Sequence, residues 1–77
     1  MKRSLTIRGH ATSISLEDAF WDELRRIAAA EEVTLPALVA RIDAMRWENG
    51  APRHGLSSSL RLYVLESLKR EVSPRSG

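Results

Sequence analysis

The chain has 77 residues, with no cysteine, four glycines, three prolines and only 5% aromatic residues. Without thiols there is neither a disulfide staple nor a thiolate metal site. Two histidines, His10 and His54, are too few and too far apart in sequence to suggest a structural zinc centre, so neither a metal nor a cofactor is expected. No apolar run approaches the roughly 20 residues of a membrane-spanning helix, and no signal-peptide pattern opens the chain. A cytoplasmic protein with no membrane partner is the expectation. The glycines form no phosphate-cradling loop. Paired acids such as Glu17-Asp18 and Glu31-Glu32 sit where helices begin and end, which dipole compensation or solvation explains better than general acid–base work. Ser57-Ser58-Ser59 has no motif linking it to either histidine and reads as helix-capping material. No catalytic residue is expected.

Hydrophobic residues make up 43% and charged residues 29%, a globular balance. A chain this short buries only about 60% of its unfolded surface, so association with a second chain is the expected source of further burial. The net charge of +2 is unevenly spread. Lys2, Arg3 and Arg8 make the start basic. Acids dominate from Glu17 to Glu32, and the remainder is basic again. Such polarity suits an anionic partner such as a phosphate backbone.

Residues 3–16 read as extended, with Leu5 and Ile7, then Ile14 and Leu16, alternating with polar neighbours. The apolar parity switches from odd to even across Gly9, which requires a bulge, a turn or a break. The ordered strand is expected over 10–16, with residues 1–9 a basic arm or short strand. Ser15 ahead of Glu17-Asp18 predicts the cap of a first helix over 17–31, with Phe20, Leu24, Ile27 and Ala28 as its apolar stripe and Trp21 beside it. Thr34 caps a second helix over 35–47, and Pro36 fits its first turn, where no donor is needed. Residues 48–55 form a loop, 56–71 a third helix capped by Ser57 or Ser58, and 72–77 a tail. The whole of 1–77 reads as one domain, mainly α. Its single strand has no partner in the chain, and pairing with a twin copy is the simplest way to satisfy it.

From about His10 to Arg46 the chain resembles the ribbon-helix-helix family of DNA-binding proteins. Three segments carry the likeness: Thr12-Ser13-Ile14-Ser15-Leu16, Leu24-Arg25-Arg26-Ile27-Ala28 and Val33-Thr34-Leu35-Pro36-Ala37-Leu38. Leu56-Ser57-Ser58-Ser59-Leu60-Arg61, with Arg3-Ser4-Leu5 and Gly9-His10, is similar to a bacterial subgroup with a third helix. The resemblance implies a β-α-α fold with an additional C-terminal helix, in an intertwined homodimer sharing a two-stranded antiparallel ribbon. It implies a core containing Ile14, Leu16, Phe20, Leu24, Leu38 and Ile42. The ribbon would enter the major groove of double-stranded DNA with Ala11, Ser13 and Ser15 facing the bases. Thr34 and Leu35, opening the second helix, would form a phosphate clamp, and Lys2, Arg3 and Arg8 would reach phosphate or groove. Alanine and serine discriminate bases weakly, so the neutral ribbon also suits a second reading, a dimeric interaction module of antitoxin or adaptor type. That module would bind a partner protein through the third helix or the ribbon.

Overall fold

The computed structural model describes residues 1–48, 50–52 and 54–72. Asn49 and Arg53 of the expected loop, and the expected tail from 73 onward, lie outside the described residues. The elements in order are β1 (Lys2–Ile7), β2 (His10–Ser15), α1 (Asp18–Ala30), α2 (Leu35–Met45) and α3 (Leu56–Val72).

The two strands form an antiparallel hairpin, with Lys2 opposite Ser15, Ser4 opposite Ser13 and Ile7 opposite His10. This corrects the expectation of a strand without a partner in its own chain: the residues read as an arm or short strand are that partner. The reason is local. Arg8 and Gly9 both take positive φ, 52° and 83°, the conformation a two-residue hairpin loop needs to match strand twist. Such a loop places residues 7 and 10 on the same face, so the parity switch across Gly9 is the signature of a reversal of the chain. Leu5, Ile7, Ile14 and Leu16 are consequently all buried on one face.

Helix α1 begins at Asp18 behind Glu17, which makes no side-chain capping bond. Ser15 is therefore not the cap; it is the last residue of β2, opposite Lys2. The buried face of α1 is Trp21, Leu24, Ile27 and Ala28, rotated from the expected stripe so that Trp21 is fully enclosed and Phe20 only partly. The indole N–H of Trp21 donates to the Met1 carbonyl at 2.7 Å, which lets so large a ring with a polar edge sit at the centre. The end of α1 is a Schellman motif: the Glu32 N–H bonds the Ala29 carbonyl, the Val33 N–H bonds the Ala28 carbonyl, and Glu32 takes φ 59°. Helix α2 follows at once. The Thr34 hydroxyl accepts the Ala37 N–H at 3.2 Å, and Pro36 stands within the first turn.

Helix α3 starts at Leu56, so Ser57 and Ser58 lie inside its first turn rather than capping it. Leu60 and Val64 anchor it in a core shared with Leu38, Val39 and Ile42 of α2 and the apolar face of the hairpin. Two ion pairs fasten α3 to α1: Arg61 to Glu17 at 3.0 Å and Arg26 to Glu71 at 2.6 Å. The first of these holds the Glu17 carboxyl below its usual pKa, chiefly through the hydrogen bond from Arg61. Trp47, just beyond the end of α2, is 54% exposed.

Candidate nucleic-acid interface

With the apolar face of the hairpin against the helices, alternation turns the other face outward. Lys2, Ser4 and Thr6 from β1 and Ala11, Ser13 and Ser15 from β2 share that face, and all are exposed. Ser4 and Ser13 stand directly opposite, their hydroxyl oxygens 3.5 Å apart. No side chain on the face except Lys2 is larger than threonine, so the backbone can approach a flat surface closely, with hydroxyls as the main polar groups. The three β2 residues predicted to face a ligand are thus brought together. The sequence reading did not single out Ser4 and Thr6, although the odd parity of Leu5 and Ile7 already places even-numbered β1 residues outward.

The other expected contacts are more scattered. Lys2 lies on the outer face with no acid within ion-pair distance. Arg3 falls on the inward parity and stacks over the Trp21 ring, 5.7 Å from its centroid. Arg8, in the loop, donates to Asp43 at 2.8 Å, and Arg46 holds the same carboxylate at 2.7 Å. Among the described residues, Arg25, Arg26, Arg41, Arg61 and Lys69 also have acidic partners. The pairing with Glu31, and then the hydrogen bond to Tyr63, raises the Arg41 pKa above its ordinary value. Among the described residues, positive charge not matched by an acid therefore collects at Lys2 and Arg3, with Arg70 on α3.

At the start of α2, Thr34 is exposed and Leu35 half-buried. Pro36 has no N–H and the Ala37 N–H is taken by Thr34, which leaves the Leu35 N–H as the donor open to an anion in that turn. No cluster of His, Asp or Glu among the described residues is arranged to hold a metal ion. No described helix is long and apolar enough to cross a membrane.

A hairpin followed by three helices, with its outer face clear, agrees with a family model described as a ribbon-helix-helix domain, which matches residues 1–68. The chain belongs to that family. Its members are generally non-enzymatic DNA-binding proteins, usually transcription regulators or antitoxins. A solved structure of an uncharacterized protein from Bordetella pertussis Tohama I is similar, at 31% identity and a TM-score of 0.72, over 99% of this chain and 62% of that one. This chain thus spans less than two thirds of that protein's length. No protein with a curated function matches it.

Proposed function

We propose that this protein is a homodimeric DNA-binding protein, a bacterial transcriptional regulator that sets the outer face of its ribbon in the major groove and works on the nucleoid in the cytoplasm. The observation that carries the reading is the outer face itself. It is exposed, built from small hydroxyl and methyl side chains, and carries at its rim a cation, Lys2, with no acidic partner among the described residues. A groove about 12 Å wide admits a two-stranded ribbon. Ala11, Ser13 and Ser15 supply a methyl and two hydroxyls to base edges, which gives modest discrimination. Lys2 supplies phosphate contact. Arg8 can join it only by giving up Asp43, and Arg3 only by leaving Trp21. Thr34 and Leu35 add one backbone donor at the start of α2.

The test is a gel-shift titration on random and genomic duplexes over a range of salt. Affinity should fall steeply with ionic strength, and changing Ser13 should shift sequence preference while Lys2→Ala weakens binding to every duplex alike. Absence of any shift at low salt refutes the reading.

One observation favours the second reading, a protein-interaction module. Helix α3 leaves Leu62, Leu65 and Leu68 exposed, and beside them is a shallow groove of about 340 Å³ with Ile42, Met45, Leu62 and Tyr63 as its apolar lining and Arg46, Glu66 and Arg70 among its polar residues. An amphipathic helix of a partner protein fits such a groove. Under this reading Leu62→Asp abolishes partner binding and leaves any DNA binding unchanged.

A further inference from the structure

Between the loop end of the hairpin, the end of α2 and the start of α3 lies an open cleft of about 680 Å³, a size common among small-molecule sites. Arg8 and Thr12 stand in its hairpin wall, and Asp43, Arg46 and Trp47 in the wall opposite. The strand residues that line it, Ile7, His10 and Thr12, share the inward parity of the hairpin. The cleft therefore lies on the side of the hairpin away from Ser4 and Ser13, and its chemistry is independent of the outer face.

Two guanidiniums share one carboxylate here. Arg8 holds one oxygen of Asp43 at 2.8 Å and Arg46 holds the other at 2.7 Å. Arg46 also donates to the His54 carbonyl at 2.7 Å. The remaining N–H groups of both arginines have no protein acceptor among the described residues. Asp43 is the one acid in the lining among the described residues, so a positive charge is left over. Leu56, the first residue of α3, also stands in the wall and brings the positive end of that helix's dipole.

Arg8 takes φ 52°, where glycine or asparagine would be less strained. Its side chain is 53% exposed, and an ion pair so open to solvent stabilises a fold little. A strained backbone that holds a half-solvated guanidinium over a cleft points to a ligand rather than to fold support. Trp47 adds a flat apolar surface: its indole is exposed, and its ring centroid lies 5.8 Å from the Arg46 guanidinium carbon. An anion on Arg46 thus sits beside the indole, and a ring joined directly to that anion lies against it without a spacer.

We infer that this cleft binds a small aromatic carboxylate, its acid group on Arg8 and Arg46 and its ring against Trp47. Asp43 shows how the acid is held, with one oxygen on each arginine. It also competes with the ligand for both.

Titration of the protein with naphthoate, followed by the two indole N–H resonances in NMR, tests the site. The Trp47 resonance should shift and saturate, while that of Trp21, sealed in the core, stays in place. Naphthamide, neutral and of the same shape, and cyclohexanecarboxylate, charged but not flat, should each bind at least about tenfold more weakly. Arg8→Gln and Arg46→Gln should each weaken naphthoate about tenfold or more, with an unmoved Trp21 resonance certifying the fold. Arg25→Gln, which removes a cation from α1, should leave binding as it is. Asp43→Asn removes the internal competitor and should tighten binding about fivefold or more, an outcome that a purely structural ion pair does not produce. Equal affinity for naphthamide, unchanged binding in R8Q, or weaker binding in D43N overturns the inference. So does tighter binding of adenosine monophosphate, whose sugar separates ring from anion. A Trp47 resonance that moves with protein concentration and not with naphthoate also overturns it, since a second copy of the chain then fills the cleft.

Discussion

Replacing Trp21 with phenylalanine is the sharpest test of how the hairpin is held. Trp21 is completely buried, its N–H donates to the Met1 carbonyl, and its ring lies under Arg3. It thus joins the first residues of β1 to the middle of the core. Phenylalanine keeps most of the apolar burial and loses the hydrogen bond. The Met1 carbonyl still accepts the Leu16 N–H, so it is not orphaned, and the lost bond costs about 1 kcal/mol. The space vacated by the smaller ring adds about 1–2 kcal/mol, since a packed core closes only partly around a void. The sum is about 2–3 kcal/mol, against a total of about 4–11 kcal/mol for a domain of this length.

In urea, with a slope of about 1 kcal/mol per molar, the midpoint should fall by about 2–3 M. Circular dichroism is the readout, because removing Trp21 also removes the buried fluorophore and leaves Trp47 at 54% exposure. Amide exchange should quicken first at Arg3 and Leu5, the β1 residues nearest the lost bond. A midpoint shift below about 0.5 M with unchanged exchange in β1 would refute the packing argument.

Two further substitutions probe helix ends. Glu32 holds φ 59°, which costs a side-chain-bearing residue about 1–2 kcal/mol, whereas glycine adopts it freely at some entropic cost in the unfolded chain. Glu32→Gly should therefore raise stability by about 0.5–1 kcal/mol, seen as a higher melting temperature; a lower one contradicts the strain. The Glu17 carboxyl, held below its ordinary pKa by Arg61, contributes stability that is fully present above the unfolded value and is lost as pH falls through the lower folded value. Glu17→Gln should lower the melting temperature modestly at neutral pH and converge on the wild type in acid, so that the limb below about pH 4.3 is flatter.

The helices were legible because their signals are local. Thr34 and Pro36 announce the start of α2, and the spacing of Leu38 and Ile42 gives its buried face. The rotation of α1 was not legible. Phe20 and Trp21 are adjacent aromatics that satisfy the periodicity almost equally, and a distant partner, the Met1 carbonyl, decides between them. The hairpin was half legible. The parity change across Gly9 marks a reversal as well as it marks a bulge, but Arg8 is not a residue type that advertises a positive φ. Asp43, 35 positions away, draws its guanidinium toward α2. For the interface, the outward triad of β2 follows from alternation alone. Arg3 and Arg8 do not, because their partners Trp21 and Asp43 are tertiary.

Closing the hairpin within one chain also changes what drives association. A strand with no partner would need a twin on folding grounds; β2 needs one only for its second edge. A ladder of about six hydrogen bonds there, at roughly 0.5–1.5 kcal/mol each, would contribute about 3–9 kcal/mol. Association costs about 4–15 kcal/mol in lost freedom. In the proposed homodimer such a ladder would by itself set the register and not the tightness. Light scattering at one concentration reads tightness and so cannot judge the register. A thiol at position 13 can, because a disulfide accumulates from a sparsely populated dimer provided the two Cα atoms meet at the right distance. Thr6→Cys, also exposed but on β1, then separates a specific encounter from random collision.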